Sequence, residues 1–302
     1  MPFRTFLLFS SLLALAAAQT VSYTYDSAGR VRSLTYPNGK VMTFLYDRAG
    51  NLLRRQVQIP VAGATPSASA AGVVNAASFK AGPVAPGELI TVYGTGIGPS
   101  SLTLFDLPPS NLFPTLVGDT SILFDGIPAP IYYSSAGQTS VFVPYAVAGR
   151  PNTQMVIVYQ GRASSPITLP VAAAAPALFS ANQTGTGPGA ILNQDNSLNT
   201  AANPAAKGSI VILYGTGEGQ TNPAGVDGRV AATIFPKPLL NVSVSIGGQA
   251  AEVAYAGAAP FLVAGVFQIN VKIPEEAPSG AVPVVVRVGS FASQEGISVQ
   301  VQ

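Results

Sequence analysis

Gly87 to Pro99 reads GELITVYGTGIGP, and Gly208 to Gly219 reads GSIVILYGTGEG. Each time a run of β-branched and aromatic residues leads into Tyr-Gly-Thr-Gly-x-Gly, which reads as a strand ending on a glycine-rich turn. The register holds downstream. Phe124-Asp125-Gly126 is echoed by Ile246-Gly247-Gly248, Gln138 to Pro144 (QTSVFVP) by Gln268 to Pro274 (QINVKIP), and Val156 to Gly161 by Val284 to Gly289. One β-rich unit is therefore present twice, at a spacing of about one small domain.

The first copy, residues 73–171, carries strand candidates near Val73 to Asn75 and at Leu89–Tyr93, Ser121–Phe124, Pro130–Tyr133, Thr139–Val143, Gln154–Tyr159 and Ile167–Val171. The second, residues 172–302, carries them at Ala190–Asn193, Ser209–Tyr214, Leu240–Ile246, Glu252–Ala256, Val266–Ile273, Val282–Val288 and Ile297–Val301. Short strands split by Gly, Pro and Asn clusters, without helical periodicity, predict an antiparallel immunoglobulin-like β-sandwich for each copy. Val242, Val244 and Ile246 alternate with Ser243 and Ser245, as on a strand with one buried and one wet face.

Composition bounds the chemistry. The chain has 302 residues, 48% of them hydrophobic, enough for two cores. Only 9% are charged, against roughly 25% in ordinary soluble domains. A net charge of +2 leaves no electrostatic footprint for nucleic acid or anionic lipid. The sequence contains no Cys and no His, so disulfides, thiolate chemistry and the commonest general base and metal ligand are excluded. No cofactor is called for.

Arg4, the apolar run Phe6 to Leu15 and Ala16-Ala17-Ala18 follow the order of a secretory signal peptide over residues 1–18. Export is the expectation, with no integral membrane span. Residues 19–58 hold a shorter repeat, with Tyr25-Asp26-Ser27-Ala28-Gly29-Arg30-Val31 returning as Tyr46-Asp47-Arg48-Ala49-Gly50-Asn51-Leu52, and Tyr36-Pro37-Asn38-Gly39 between them. Asn-Gly predicts a tight hairpin turn, and each Asp-x-x-Gly supplies another, giving four strands. Residues 59–72, IPVAGATPSASAAG, are small and lack apolar period, which predicts a tether.

The hairpin stretch resembles the YD repeat of the Rhs family, whose Tyr-Asp, Gly-Arg, Tyr-Pro-Asn-Gly and Gly-Asn-Leu pieces it matches. Many such repeats wind into a β-shell or act as carbohydrate-contacting surfaces, which two copies are too few to enclose. Residues 73–302 resemble the uncharacterised Solibacter-type C-terminal domain family. The resemblance is carried by Val74-Asn75-Ala76-Ala77-Ser78-Phe79, Ala85-Pro86-Gly87-Glu88, the Tyr-Gly-Thr-Gly turns, Pro176-Ala177-Leu178-Phe179, the stretch Asn193 to Asn199, Asn203-Pro204-Ala205 and the closing Gln-x-Asn-Val-x-Ile-Pro. Each copy also resembles the IPT/TIG type of immunoglobulin-like domain. Relatives of that type imply a spacer or adhesion role.

Four constellations compete with plainer readings. Neither glycine-rich turn leads into a helix that would receive a phosphate, so both read as kinked strand ends. Asp195 in NQDNSLN offers oxygen ligands for calcium but lacks the glycine and closing Glu of an EF-hand loop, and an Asx turn accounts for it. Tyr132, Tyr133 and Tyr255 are the candidate ligand contacts, as a sugar-stacking platform. Strand alternation places one of Tyr132 and Tyr133 in the core and the other outside. No pair of carboxylates stands in a glycosidase-like context, and Glu275-Glu276 reads as a solvated turn. The sequence thus points to a non-enzymatic surface interaction and spacer protein whose partner is a glycan or a cell-envelope protein. Carbohydrate binding is the alternative function, followed by a carboxylate-dependent glycoside hydrolase.

Overall fold

The computed structural model describes residues 21–36, 41–47, 49–58, 65–105 and 110–302. The signal-peptide expectation and the Asn38-Gly39 turn lie outside the described residues. The chain divides into two compact units, Met1–Gly63 and Ala64–Gln302.

The first unit is one antiparallel sheet of four strands in sequence order, β1 (Ser22–Tyr25), β2 (Val31–Thr35), β3 (Val41–Tyr46) and β4 (Leu52–Gln58). Its turns form as the repeat predicts. Asp26 Oδ1 accepts from the Ala28 and Arg30 amides, and Asp47 Oδ1 from the Asn51 amide, while Gly29 and Gly50 take positive φ. Arg30 ties the two repeats together: its Nε donates to Asp26 Oδ2 at 2.8 Å, its Nη1 to the Asp47 carbonyl at 3.0 Å, and its guanidinium lies 4.9 Å from the Tyr46 ring centre.

The second unit contains both immunoglobulin-like sandwiches. In the first, β5 (Ser67–Asn75), β6 (Leu89–Thr95), β7 (Thr103–Leu104), β8 (Thr120–Phe124), β9 (Ile127–Pro128), β10 (Ile131–Ser134), β11 (Gln138–Phe142), β12 (Asn152–Tyr159), β13 (Arg162–Ala163) and β14 (Ile167–Pro170) form two sheets. One has the order β5-β6-β11-β10-β7, the other β13-β12-β8-β9 with β14 also on β12. Ile90, Val92, Ile131 and Val141 of the first sheet meet Ile122, Phe124, Met155 and Ile157 of the second to make the core.

The second sandwich repeats the plan. Its strands are β15 (Ala177–Leu178), β16 (Gly187–Pro188), β17 (Ile191–Asn193), β18 (Ile210–Thr216), β19 (Thr221–Asn222), β20 (Lys237–Pro238), β21 (Val242–Ile246), β22 (Gln249–Ala251), β23 (Val253–Ala258), β24 (Val266–Lys272), β25 (Gly280–Val288), β26 (Phe291–Ala292) and β27 (Ile297–Val301). The order β15-β18-β24-β23 faces β16-β27-β25-β21-β22, with Val211, Leu213, Phe267 and Ile269 packed on Val244, Ile246, Val284 and Val299. The duplication extends to a structural detail. β12 pairs with β14 along its first half and β8 along its second, and β25 divides itself in the same way between β27 and β21.

Residues 67–72, expected from composition to be tether, instead lie in β5. Ser67 and Ala68 pair with Thr95 and Gly94, and the register shifts before Val73 resumes opposite Val92. The glycine-rich turn permits this, because a Cβ on Gly94 would run into the Ser67 carbonyl oxygen. Close backbone approach is thus one use of these glycines. The second copy does the same for the segment between the modules: Gly217, at φ 82°, accepts from the Ala175 amide, and a Cβ there would overlap the Ala175 carbonyl.

Candidate functional site

The two sandwiches meet along a built seam, which sets the geometry of every site between them. A third apolar cluster holds Leu89 and Phe142 from the first module against Val263 from the second, with Phe113, Phe179 and Val266 packed around it. Buried Thr216 closes hydrogen bonds on both sides: its Oγ1 accepts from the Leu89 amide at 2.7 Å and donates to the Gly265 carbonyl at 2.7 Å. Asp227 Oδ1 accepts from the Tyr145 amide at 2.8 Å, and Gln220 Nε2 donates to the Tyr145 carbonyl at 2.9 Å. Backbone bonds from Phe113 to Gly228 and from Val230 to Asn111 extend the seam. Bonds of this kind in a desolvated contact fix relative orientation, because separating the modules would strand each donor.

Two glutamates are buried here. Glu88, 2% exposed, accepts from the Ala85 amide at 2.7 Å and from Asn75 Nδ2 at 2.8 Å. Asn75 is itself oriented, since its Oδ1 accepts from the Ala77 and Ser78 amides and its Nδ2 also reaches the Ala175 carbonyl across the seam. Burial pushes the Glu88 carboxyl up to about 8 despite those donors. Glu218, 3% exposed, sits within the second glycine-rich turn and is likewise raised to about 8 by burial, against hydrogen bonds from its own amide, the Tyr145 hydroxyl and the Gly265 backbone. Its Oε2 has no partner among the described residues. Neither carboxyl forms an ion pair among the described residues, and burial holds both mainly in the neutral form at neutral pH.

The aromatic site is built by a bulge. Ile131 pairs with Val141, Tyr133 with Ser140 and Ser134 with Thr139, leaving Tyr132 as the extra residue. Alternation alone predicts that Tyr132 and Tyr133 face opposite ways. The bulge cancels it, so both rings line one cleft, with centres 6.0 Å apart. Tyr132 is 44% exposed and Tyr133 half-buried, and neither belongs to the core. Desolvation raises the Tyr133 hydroxyl above the ordinary tyrosine value, opposed by a hydrogen bond with Thr91. Behind Tyr132, the Phe113 ring stacks at 6.2 Å and 12° and meets Phe142 edge-on at 5.8 Å.

The cleft, about 330 Å³, is closed from the other module by Phe179, Ser180 and Gln183. Phe79, 39% exposed, stands on its first-module side. Phe79 and Gln183 both have left-handed backbone, at φ 55° and 56°, a conformation that non-glycine residues adopt at a cost and that clusters at binding sites. None of the residues lining the cleft is charged. A larger opening of about 480 Å³ lies beside Asn75, Glu88 and Gln294, but Gln294 spends its amide on both backbone groups of Leu178.

The other sequence candidates lie elsewhere. Tyr255 occupies the position in the second module equivalent to Tyr133, opposite Asn270 and after the same register shift. Its hydroxyl donates to the Ala258 carbonyl at 2.7 Å, and Ala254 stands where the first module has Tyr132. Asp195 accepts from the Ser197 amide and hydroxyl, which hold its carboxyl below the usual range, as an Asx turn does. No cluster of acidic residues suited to a metal ion occurs among the described residues, and no described helix is long and apolar enough to cross a membrane.

Comparison with known proteins adds the following. The family model of the RHS repeat matches residues 15–41 and 25–57. No curated protein matches the chain. Among solved structures, a Bacteroides ovatus mixed-linkage glucan utilization locus SGBP-B, in complex with a mixed-linkage heptasaccharide, is similar at 14% identity and a TM-score of 0.31, covering 93% of this chain and 58% of that one. SGBP-B from a complex xyloglucan utilization locus in Bacteroides uniformis is similar at 12% identity and 0.23, over 71% and 46%. The N-terminal Ig1-2 module of the Drosophila receptor protein tyrosine phosphatase DLAR is similar at 14% identity and 0.19, over 79% and 96%. The chain thus spans about half the length of the first two of these structures.

Proposed function

We propose that the chain is an exported, non-enzymatic interaction and spacer protein, in which a hairpin unit of YD type precedes a two-module head of fixed geometry. Membership of the Solibacter-type C-terminal domain family is part of this reading, as is a partner at the cell surface, either a glycan or an envelope protein. The observation that carries it is the seam: Thr216, Asp227, Gln220 and Asn75 spend their polar atoms on the facing module or the segment between modules. A chain that invests its buried polar groups in holding two binding-type sandwiches at one angle is organised to present a surface. The absence of His and Cys from the sequence and the engagement of the Glu88 carboxylate by Ala85 and Asn75 support a role without turnover.

Two measurements test the reading. Limited proteolysis of the full chain should release the second unit as one resistant piece; cutting between the sandwiches near 172–176 would contradict it. Screening with generic glycosidase and esterase substrates should give no turnover. A rate abolished by replacing one carboxylate would establish an enzyme instead.

A further inference from the structure

We infer that the cleft at the seam binds a neutral glycan, with sugar rings lying on Tyr132 and Phe79 and sugar hydroxyls taken by Tyr133 and Gln183. The inference deepens the interaction-head reading and rests on it. Four features of the cleft carry it.

The lining complements an uncharged, hydroxyl-rich ligand. It offers aromatic rings, hydroxyls and one amide, and no Asp, Glu, Lys or Arg. An aromatic ring presents an apolar face to the C–H side of a sugar while neighbouring polar groups pair with its hydroxyls. Tyr133 remains competent to do so, because a phenol that bonds Thr91 keeps further hydrogen-bonding capacity. The Gln183 side-chain amide is exposed and has no hydrogen-bond partner among the described residues.

The rings are also pre-positioned. The bulge turns Tyr132 outward, and the stacked Phe113 behind it limits its rotamers. Phe79 is set by its left-handed backbone and by the hydrogen bond its backbone N–H donates to the Asn75 carbonyl at 2.8 Å. Fixing such groups before binding removes an ordering cost from association. The duplicated module supplies an internal control: it keeps the bulge and the tyrosine but has Ala254 for Tyr132. A residue needed only for the sandwich would have no reason to differ in this way.

The cleft opens over the face of a sheet rather than along its edge. A peptide adding itself as a strand needs an unpaired edge, whereas the cleft lies across β6, β11 and β10, of which β6 and β11 are paired on both sides and β10 by β11 and, at Tyr133 and Ser134, by β7. A glycan lying across the face needs no edge.

The full chain should be tested against immobilised neutral oligosaccharides, namely β-glucan, α-glucan, xylan, mannan and chitin fragments, with polygalacturonate as the anionic comparison. Calorimetry should follow on the best binder. We expect binding to at least one neutral fragment. Tyr132→Ala should weaken it by roughly tenfold or more, as for a central aromatic anchor, and Tyr133→Phe by a few-fold. Phe261→Ala, at a ring 75% exposed in the second module, should leave it unchanged, and all three variants should melt within a few degrees of the parent. Blank neutral fragments, binding to polygalacturonate alone, or full affinity in Tyr132→Ala and Tyr133→Phe would each overturn the inference. The interaction-head reading fails separately, through loss of fixed geometry between the modules, so the two failures are distinguishable.

Discussion

Replacing Glu218 with Gln should make the second unit more stable in mild alkali, although it removes an ionisable residue from a protein that has few. In the folded chain the Glu218 carboxyl holds its proton up to about pH 8, whereas the free side chain releases it near 4.5. Between those values the native state binds the proton and the unfolded state does not, so stability falls as pH rises and levels off above about 8. At about 1.4 kcal/mol per pH unit, the ceiling for one such carboxyl is about 5 kcal/mol, and water entry and relaxation bring the effect below it. Gln keeps the shape and never ionises, and the unpartnered Oε2 means that no donor is turned against its amide. Glu88, raised to a similar value, remains in the variant, so the slope should be roughly halved rather than abolished. Thermal unfolding from pH 4.5 to 9 reads this directly. Parent and Glu218→Gln should melt together at pH 4.5, and the variant several degrees higher at pH 8.5, since about 1 kcal/mol moves a unit of this size by 2–4 °C. Identical slopes, or a variant that melts lower at pH 8.5, would refute the burial argument.

Other substitutions probe the same architecture. Glu88→Gln should destabilise at pH 4.5, where ionisation of the buried carboxyl plays no part, because its amide would face either the Ala85 N–H or Asn75 Nδ2, and Asn75 cannot flip while Oδ1 holds two amides; a chemical-denaturation midpoint equal to the parent's at that pH would contradict this. Thr216→Val leaves the buried Leu89 amide without its acceptor and should lower stability by about 1–3 kcal/mol, measured in urea. Gly265→Ala puts a methyl group into the Gly87 carbonyl at φ 102°, so proteolysis near the seam should accelerate. In the hairpin unit, backbone and guanidinium bonds from Arg30 lower the Asp26 carboxyl, and bonds from Asn51 lower that of Asp47. Their stabilisation is present above the ordinary aspartate range and is lost as pH falls through the lowered values, which circular dichroism of the full chain at falling pH should register as early loss of this unit.

Much of this was legible in the sequence. The repeated Leu89 and Ile210 strands, the alternation in Val242–Ile246 and the Asp-x-x-Gly turns each express a local rule, and local rules survive folding. What escaped has a tertiary cause. Ser67 to Gly72 looks like tether because its small side chains carry no apolar period, yet small side chains are what allow it to lie beside Gly94. The pairing of Tyr132 with Tyr133 on one face depends on a bulge that alternation cannot reveal. The burial of Glu88 and Glu218 depends on contacts distant in the chain: Asn75 reaches Glu88 from the preceding strand, and Tyr145 of the first module reaches Glu218 of the second. A hint was present in the glycines around Glu218, since a turn that dispenses with side chains invites another backbone to approach.

The central claim is that the two sandwiches are held at one angle. The sequence has no Cys, so Ser165→Cys and Glu276→Cys, at exposed sites in the first and second modules, would carry two unique spin labels. Electron–electron distance measurement on the doubly labelled full chain should give one narrow distribution, unchanged in its maximum between dilute buffer and added osmolyte. A broad or two-peaked distribution would contradict the account.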